Sequence, residues 1–162
     1  MTVIDQGFMS ELAAKAAAAP RRRAHFNLHQ SLDEDIHRLV MAAQPDSYFR
    51  PHRHSKAGKS ELLFCLHGAV SMLVFSPQGE LLARHELSPG GAVAAVELEE
   101  NTFHSLVVAS PDTVMMEIKH GPYEPTPEAD FGTWAPAEGS PGAAEFLEWM
   151  RGAKPGDKAG KH

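Results

Sequence analysis

Three histidines and one glutamate are the residues of this chain whose types and spacing could bind a metal ion. His52 and His54 are one residue apart in a segment, residues 48–54, that is predicted to be a strand. Alternate residues of a strand point to the same face, so both imidazoles can face one point. Glu61 begins the next apolar run, and His104 begins a later one. This donor set has intermediate softness and suits one divalent transition metal, which could be Fe, Ni, Mn, Zn or Cu.

Short apolar runs between turn signals predict the strands that would position these donors. Residues 46–122 contain six or seven such runs, and residues 76–79 (SPQG) have the composition of a hairpin turn. The spacing indicates a sandwich or a barrel. His67 ends the run that Glu61 begins and could also face inward, as a core residue or a support for the ligands rather than a fifth ligand.

The first 45 residues are predicted to be a helical segment that packs on the barrel. Ser10 is expected to cap an Ala-rich helix that ends at Pro20. Ser31 is expected to cap a second helix, whose apolar residues recur at helical spacing: Ile36, Leu39, Val40 and Ala43. Between these helices, residues 25–29 alternate polar and apolar side chains, which predicts a short strand.

Residues 123–162 differ from the rest in composition. They are rich in Pro and Gly and are predicted to form a strap, a short amphipathic helix at residues 143–151 and a mobile tail from Lys154 onwards. The helix could pack on its own domain or on a second subunit. With 162 residues and 43% apolar content, the chain is expected to form a single domain.

Composition excludes some functions. A net charge of −6 argues against a general nucleic-acid-binding protein, and the basic residues 21–23 are interpreted as a solvated helix end. No apolar stretch of 18 residues is present, so we expect no membrane segment and a cytoplasmic location. The single Cys65 excludes an intramolecular disulfide.

The spacing of His52, His54, Glu61 and Gly68 resembles the first motif of the cupin superfamily, G-x5-HxH-x3-4-E-x6-G. The chain departs from that motif in two ways, since Asp46 replaces the leading glycine and six residues separate His54 from Glu61. The second cupin motif is matched at its ligand position, by His104. The resemblance implies a mostly β, double-stranded β-helix (jelly-roll) fold, with N-terminal helices and a short C-terminal helix.

A narrower resemblance extends over residues 5–135. Residues 22–29 (RRAHFNLH), 31–33 (SLD), 50–54 (RPHRH) and 119–123 (KHGPY) are similar to the WbuC-type cupin metalloproteins. Those bacterial proteins are often linked to gene clusters for O-antigen or other surface polysaccharides. The resemblance implies a metal site and a sugar-like substrate.

Several polar residues are candidates for binding a small-molecule substrate: Asn27, His29, Arg50, Lys119 and Tyr123. We first expect a metal-dependent enzyme acting on a small sugar-like or polar metabolite, and as an alternative a non-catalytic protein that binds or senses a small ligand. A third hypothesis is a metal that only stabilises the barrel. Exposed sheet edges and the C-terminal helix also predict a homodimer.

Overall fold

Eight strands form two antiparallel sheets that pack face to face. The computed structural model describes residues 1–160, and the larger sheet has the order β1-β2-β8-β3-β6, the smaller one β5-β4-β7. The strands are β1 (Arg23–Asn27), β2 (Ile36–Ala43), β3 (Glu61–His67), β4 (Val70–Phe75), β5 (Leu81–Leu87), β6 (Ala95–Leu98), β7 (Phe103–Val108) and β8 (Thr113–His120). Helix α1 (Gln6–Ala18) precedes them, and a 3-10 helix (Glu128–Asp130) and helix α2 (Ala143–Gly152) follow. Six strands within residues 46–122 agree with the six or seven expected.

Three apolar clusters hold this arrangement together. Between the sheets, the core is formed by side chains such as Leu63, Met72, Leu106 and Met115. Helix α1 covers the outer face of the larger sheet, and helix α2 covers the outer face of the smaller one. Alternate residues of β2 and β4 therefore enter different clusters, as the two-residue period of a strand requires. Neither helix in the described residues is long and apolar enough to cross a membrane.

Helix α1 begins earlier than predicted. Its N-cap is Asp5, whose side chain accepts a hydrogen bond from the backbone N–H of Phe8 at 2.9 Å. The expected start after Ser10 is therefore wrong. Phe8 also packs edge-to-face on Phe26, with ring centroids 5.3 Å apart, so a tertiary contact supports the extra turn. The helix ends at Ala18, before Pro20, as expected.

The helix expected after Ser31 is wrong, because residues 36–43 form strand β2. The capping-type residues make a turn instead: the side chain of Glu34 accepts hydrogen bonds from the backbone N–H groups of Gln30 and Ser31. The apolar residues of β2 fit both the helical period of 3.6 residues and the strand period of two residues. Pairing with β1 on one side and β8 on the other decides for the strand, and such tertiary pairing overrides local propensity.

Residues 48–54 do not form the regular strand that was expected. Only His52 pairs, through isolated antiparallel bridges with His104 and Phe131. Pro51 has no N–H to donate to a ladder, which favours such irregular pairing.

The C-terminal segment packs on its own chain. Phe146, Leu147 and Met150 of α2 are buried against the smaller sheet, and Trp134 packs between Phe75 and Phe146. The tail expected to be mobile is tied to β5 where it is described, since the Leu81 N–H donates to the Asp157 carbonyl at 2.8 Å. The last two residues of that tail, 161 and 162, lie outside the described residues.

Candidate metal centre

The three predicted histidine ligands meet at one end of the space between the sheets. His52, His54 and His104 each offer a ring nitrogen, and these atoms lie within 4.8 Å of one another. Two backbone hydrogen bonds hold the segment carrying His52 against β7: His52 N–H to the His104 carbonyl at 3.0 Å, and the reverse at 2.8 Å. Two residues on, the His54 carbonyl accepts from the N–H of Asn101 at 2.7 Å. The alternation expected of a strand thus survives locally.

Backbone carbonyls fix the ring orientation of two histidines. His52 Nδ1 lies 3.0 Å from the Arg50 carbonyl, and His104 Nδ1 lies 2.9 Å from the Thr102 carbonyl. A carbonyl oxygen only accepts, so Nδ1 carries the proton in each ring. In the neutral imidazole, Nε2 is then left with a lone pair. This tautomer leaves Nε2 able to bind a metal ion, with the second nitrogen anchored by a hydrogen bond.

Glu61 joins the three histidines from the larger sheet. It begins β3, as expected, and its side chain is buried, with 8% of its surface exposed. Its Oε2 lies 3.5 Å from His104 Nε2, and its Oε1 contacts His54 Nε2. That second contact lacks hydrogen-bond geometry, so both of these buried atoms are without a hydrogen-bond partner among the described residues. A bound cation would satisfy both atoms, because a ring nitrogen and a carboxylate oxygen can each donate a lone pair to a metal.

The electrostatics of His52, His104 and Glu61 favour a positive charge beside the Glu61 carboxylate. Burial lowers the pKa of His52 to about 3, so this ring is neutral near pH 7. Burial would also lower the pKa of His104, but its contact with Glu61 outweighs burial and raises that pKa. Burial would raise the pKa of Glu61, but the contacts with His104 and His54 hold it well below its usual range. The ionised carboxylate and the imidazole nitrogens beside it fit a divalent transition metal.

Two cavities reach Glu61, and a third shares lining residues with both of them. A cavity of about 120 Å³ is lined by His52, His104 and Glu61 and by apolar side chains from both sheets. A second, of about 180 Å³, reaches His54 and Glu61 from the loop at residues 55–60. A third, of about 380 Å³, lies along β1 and β2. Lys119 lines all three.

The family follows from the sequence. A protein family described as "Domain of unknown function (DUF6016)" matches residues 4–87, which is more than half of the chain. The protein belongs to this DUF6016 family. No curated protein sequence matches it.

Solved structures place the DUF6016 chain in the cupin fold. TT1209 from Thermus thermophilus is 17% identical with a TM-score of 0.54, over 74% of this chain and 97% of that one. KdgF from Halomonas sp. is 17% identical with a TM-score of 0.51, over 65% and 84%. The DMSP lyase DddQ from Ruegeria pomeroyi DSS-3 is 17% identical with a TM-score of 0.50, over 64% of this chain but only 49% of DddQ. The predicted mostly β, cupin-like fold is confirmed.

Four of the five predicted substrate-binding residues line one cavity. Asn27, His29, Lys119 and Tyr123 all line the 380 Å³ cavity, which shares Lys119 with the cavity at the histidines. Arg50 lies apart from them. Its guanidinium packs over the Phe131 ring and pairs with Glu128 at 2.9 Å, and its carbonyl is the group that anchors His52.

His67 does not face inward. A β-bulge between Cys65 and His67 shifts the register of β3 against β8, and the His67 side chain is exposed. The alternation that linked it to Glu61 is broken at that point.

Sequence reasoning missed two polar residues at the site, Glu117 and His37. Glu117 lines the cavity at the histidines, and its carboxylate lies 2.5 Å from the Lys119 ammonium. Glu117 and Lys119 are two residues apart in a predicted strand, and this spacing could have marked a polar face. His37 was not identified from the sequence because the segment after Ser31 was predicted to be a helix.

Proposed function

We propose that this cupin is a metal-dependent enzyme that acts on a small polar metabolite. One divalent transition metal is held by His52, His54, His104 and Glu61. The single observation that carries the proposal is the convergence of these four donors, two of them with fixed tautomers, next to cavities that can admit a ligand. The metal, when bound, would supply open coordination positions that polarise a substrate carbonyl or lower the pKa of a bound water.

The residues around the metal have separable roles. Asn27, His29 and Tyr123 offer hydrogen bonds along the 380 Å³ cavity. Burial would lower the pKa of Lys119, but Glu117 and Glu61 outweigh it and raise that pKa, so its ammonium is charged. Apolar side chains such as Met41 and Leu106 limit water near the histidines. Arg50 remains a predicted substrate-binding residue, which would act from the opposite side of His52, where both line a separate cavity of about 260 Å³.

The substrate class rests on resemblance. Similarity to WbuC-type cupins supports a sugar-like metabolite of bacterial surface-polysaccharide metabolism. DddQ, described as a DMSP lyase, shows that a protein of this fold can be an enzyme acting on a small molecule. A cytoplasmic location and a homodimer belong to the same proposal.

The alternative is a binding or sensing protein with the same metal and no turnover. Both alternatives are favoured over a purely structural metal, because cavities adjoin the donors and a structural site is closed.

Turnover measurements distinguish the alternatives. Metal-loaded wild-type protein is incubated with a panel of nucleotide sugars, sugar acids and keto acids, and the mixtures are followed by NMR. We expect conversion of at least one compound, its loss in His104→Ala, and its retention in the matched control His85→Ala, which changes an exposed histidine of β5. Saturable binding without conversion would identify a binding protein instead.

A further inference from the structure

Four polar side chains form a row across the inner face of the larger sheet. Glu61 of β3 pairs with Lys119 of β8, which pairs with His37 of β2. His29, just beyond β1, stacks on His37 with ring centroids 4.1 Å apart and planes 13° apart. Neighbouring strands lie about 4.8 Å apart, so the row extends roughly 14 Å from the metal ligands.

His29 presents an unpaired ring nitrogen at the far end of this row. Its Nδ1 lies 3.0 Å from the Arg38 carbonyl and 3.1 Å from the Arg38 backbone nitrogen, so the backbone of Arg38 holds this side of the ring. The side chain is 6% exposed, and its Nε2 has no partner among the described residues. A hydroxyl group can both donate and accept a hydrogen bond, so a ligand hydroxyl in the 380 Å³ cavity, which His29 lines, would satisfy Nε2 in either tautomer.

The middle of the row carries charge. Lys119 lies 2.5 Å from Glu117, and the strand neighbours of Glu117 on both sides are leucines, Leu39 and Leu63. With Glu61, the lining of the 120 Å³ and 380 Å³ cavities contains two carboxylates and one ammonium, which leave one net negative charge. A divalent metal changes this to one net positive charge. A monoanionic ligand would neutralise the site, and charge balance matters because unbalanced charges are costly in a buried setting.

We propose that the ligand is a small monoanionic hydroxy acid, with its carboxylate at Lys119 and the metal and its hydroxyl-bearing chain directed along the row to His29. This inference rests on the proposed function, because the charge balance includes the metal. It adds the chemical class and the direction of the ligand.

Two probes that differ at one carbon test the proposal. D-gluconate ends in a carboxylate and D-sorbitol in a CH2OH group, and both are open-chain polyols. Isothermal titration of the metal-loaded protein, with the metal content of each sample measured, should show gluconate binding about tenfold or more tighter, as expected for a charge-assisted contact.

Variants test separately the two proposed ends of the ligand site, Lys119 and His29. Lys119→Gln should abolish the preference for gluconate while the metal stays bound, and Lys119→Arg should keep it because the charge is kept. His29→Phe preserves ring stacking and should weaken both probes. Lys15→Gln, on the last turn of α1, is the matched control and should change neither affinity.

The failure of this inference is distinguishable from failure of the metal site. Equal affinities for the two probes, or no binding of either, in a protein that holds its metal would overturn the hydroxy-acid assignment and leave the metal site standing. A folded Lys119→Gln variant with an undiminished preference would also overturn it. A wild-type protein that binds no metal would overturn the proposed function and this inference together.

Discussion

Two backbone carbonyls determine which nitrogen His52 and His104 offer to a ligand. Arg50 and Thr102 each supply the carbonyl that holds Nδ1–H, so Nε2 faces the centre in both rings. These carbonyls belong to the residues two positions before each histidine, and the same local geometry is therefore used twice. Substitutions that leave the backbone intact should preserve this orientation.

Glu61→Gln should weaken metal binding by at least about tenfold while the fold stays intact, because it removes the negative charge but keeps the shape of the side chain. Competition with a chelator measures the affinity, and thermal unfolding of the metal-free proteins checks the fold. Unchanged affinity in the variant would indicate a site of three histidines only.

Acid should destabilise the metal-free protein through His52. Burial lowers the pKa of this ring from 6.5 to about 3. Between those values the unfolded chain binds a proton that the folded chain excludes, so the free energy of unfolding falls as pH falls. Urea denaturation at a series of pH values measures the effect, and His52→Phe should flatten the curve within this window. Parallel curves for wild type and variant would refute the assignment.

At the level of elements, the sequence predicted those features that depend on nearby residues. The turn at residues 76–79 formed as expected, with the Gly79 N–H donating to the Ser76 carbonyl at 3.0 Å. The order of strands could not be predicted locally, because β8 pairs with β2 and β3 across long stretches of chain. That order is what brings Lys119 beside Glu61 and His37 beside Lys119. The segment of β2 was wrongly predicted to be a helix for the same reason. Its apolar residues fit both the helical and the strand period, and only pairing with β1 and β8 decides between them.

Gly68, between β3 and β4, should be among the least replaceable residues of the fold. Its φ is +77°, and an added Cβ would lie 2.5 Å from Thr113 Oγ1 and 3.0 Å from Thr113 Cα. Gly68→Ala should therefore lower the free energy of unfolding by about 2–4 kcal/mol, from backbone strain and overpacking together.

Gly90→Ala is the matched control. Gly90 has a similar φ of +71°, but nothing lies within 4 Å of the added Cβ, so only the strain of about 1–2 kcal/mol applies. Urea denaturation compares the two variants, and equal losses would show that the contact with Thr113 is not limiting.

At the scale of the whole molecule, both outer sheet faces are covered, and β1 lies at an edge of the larger sheet. Within the described part of the chain, β1 pairs only with β2, and Phe26 on that strand is 42% exposed. Helix α2 cannot supply the dimer contact through Phe146 or Met150, since both are fully buried in their own chain. Open strand edges favour pairing, so the predicted homodimer should form through β1.

Light scattering at micromolar concentrations tests this assembly. Wild-type protein should have the mass of a dimer, and Phe26→Lys should shift it to a monomer. Leu82→Lys, which changes an exposed residue of the smaller sheet, should leave the dimer unchanged. A monomer mass for wild type at every concentration would reject the prediction.

The central claim is that this cupin-fold protein holds one transition metal between its sheets, and metal content tests it most directly. Protein purified without an affinity tag is analysed for all first-row transition metals, as wild type, as His104→Ala and as His85→Ala. We predict about one metal ion per chain in the wild type and the His85 variant, and a large loss in the His104 variant. Wild-type protein without metal after incubation with each candidate ion, or undiminished metal in a folded His104→Ala variant, would contradict the account.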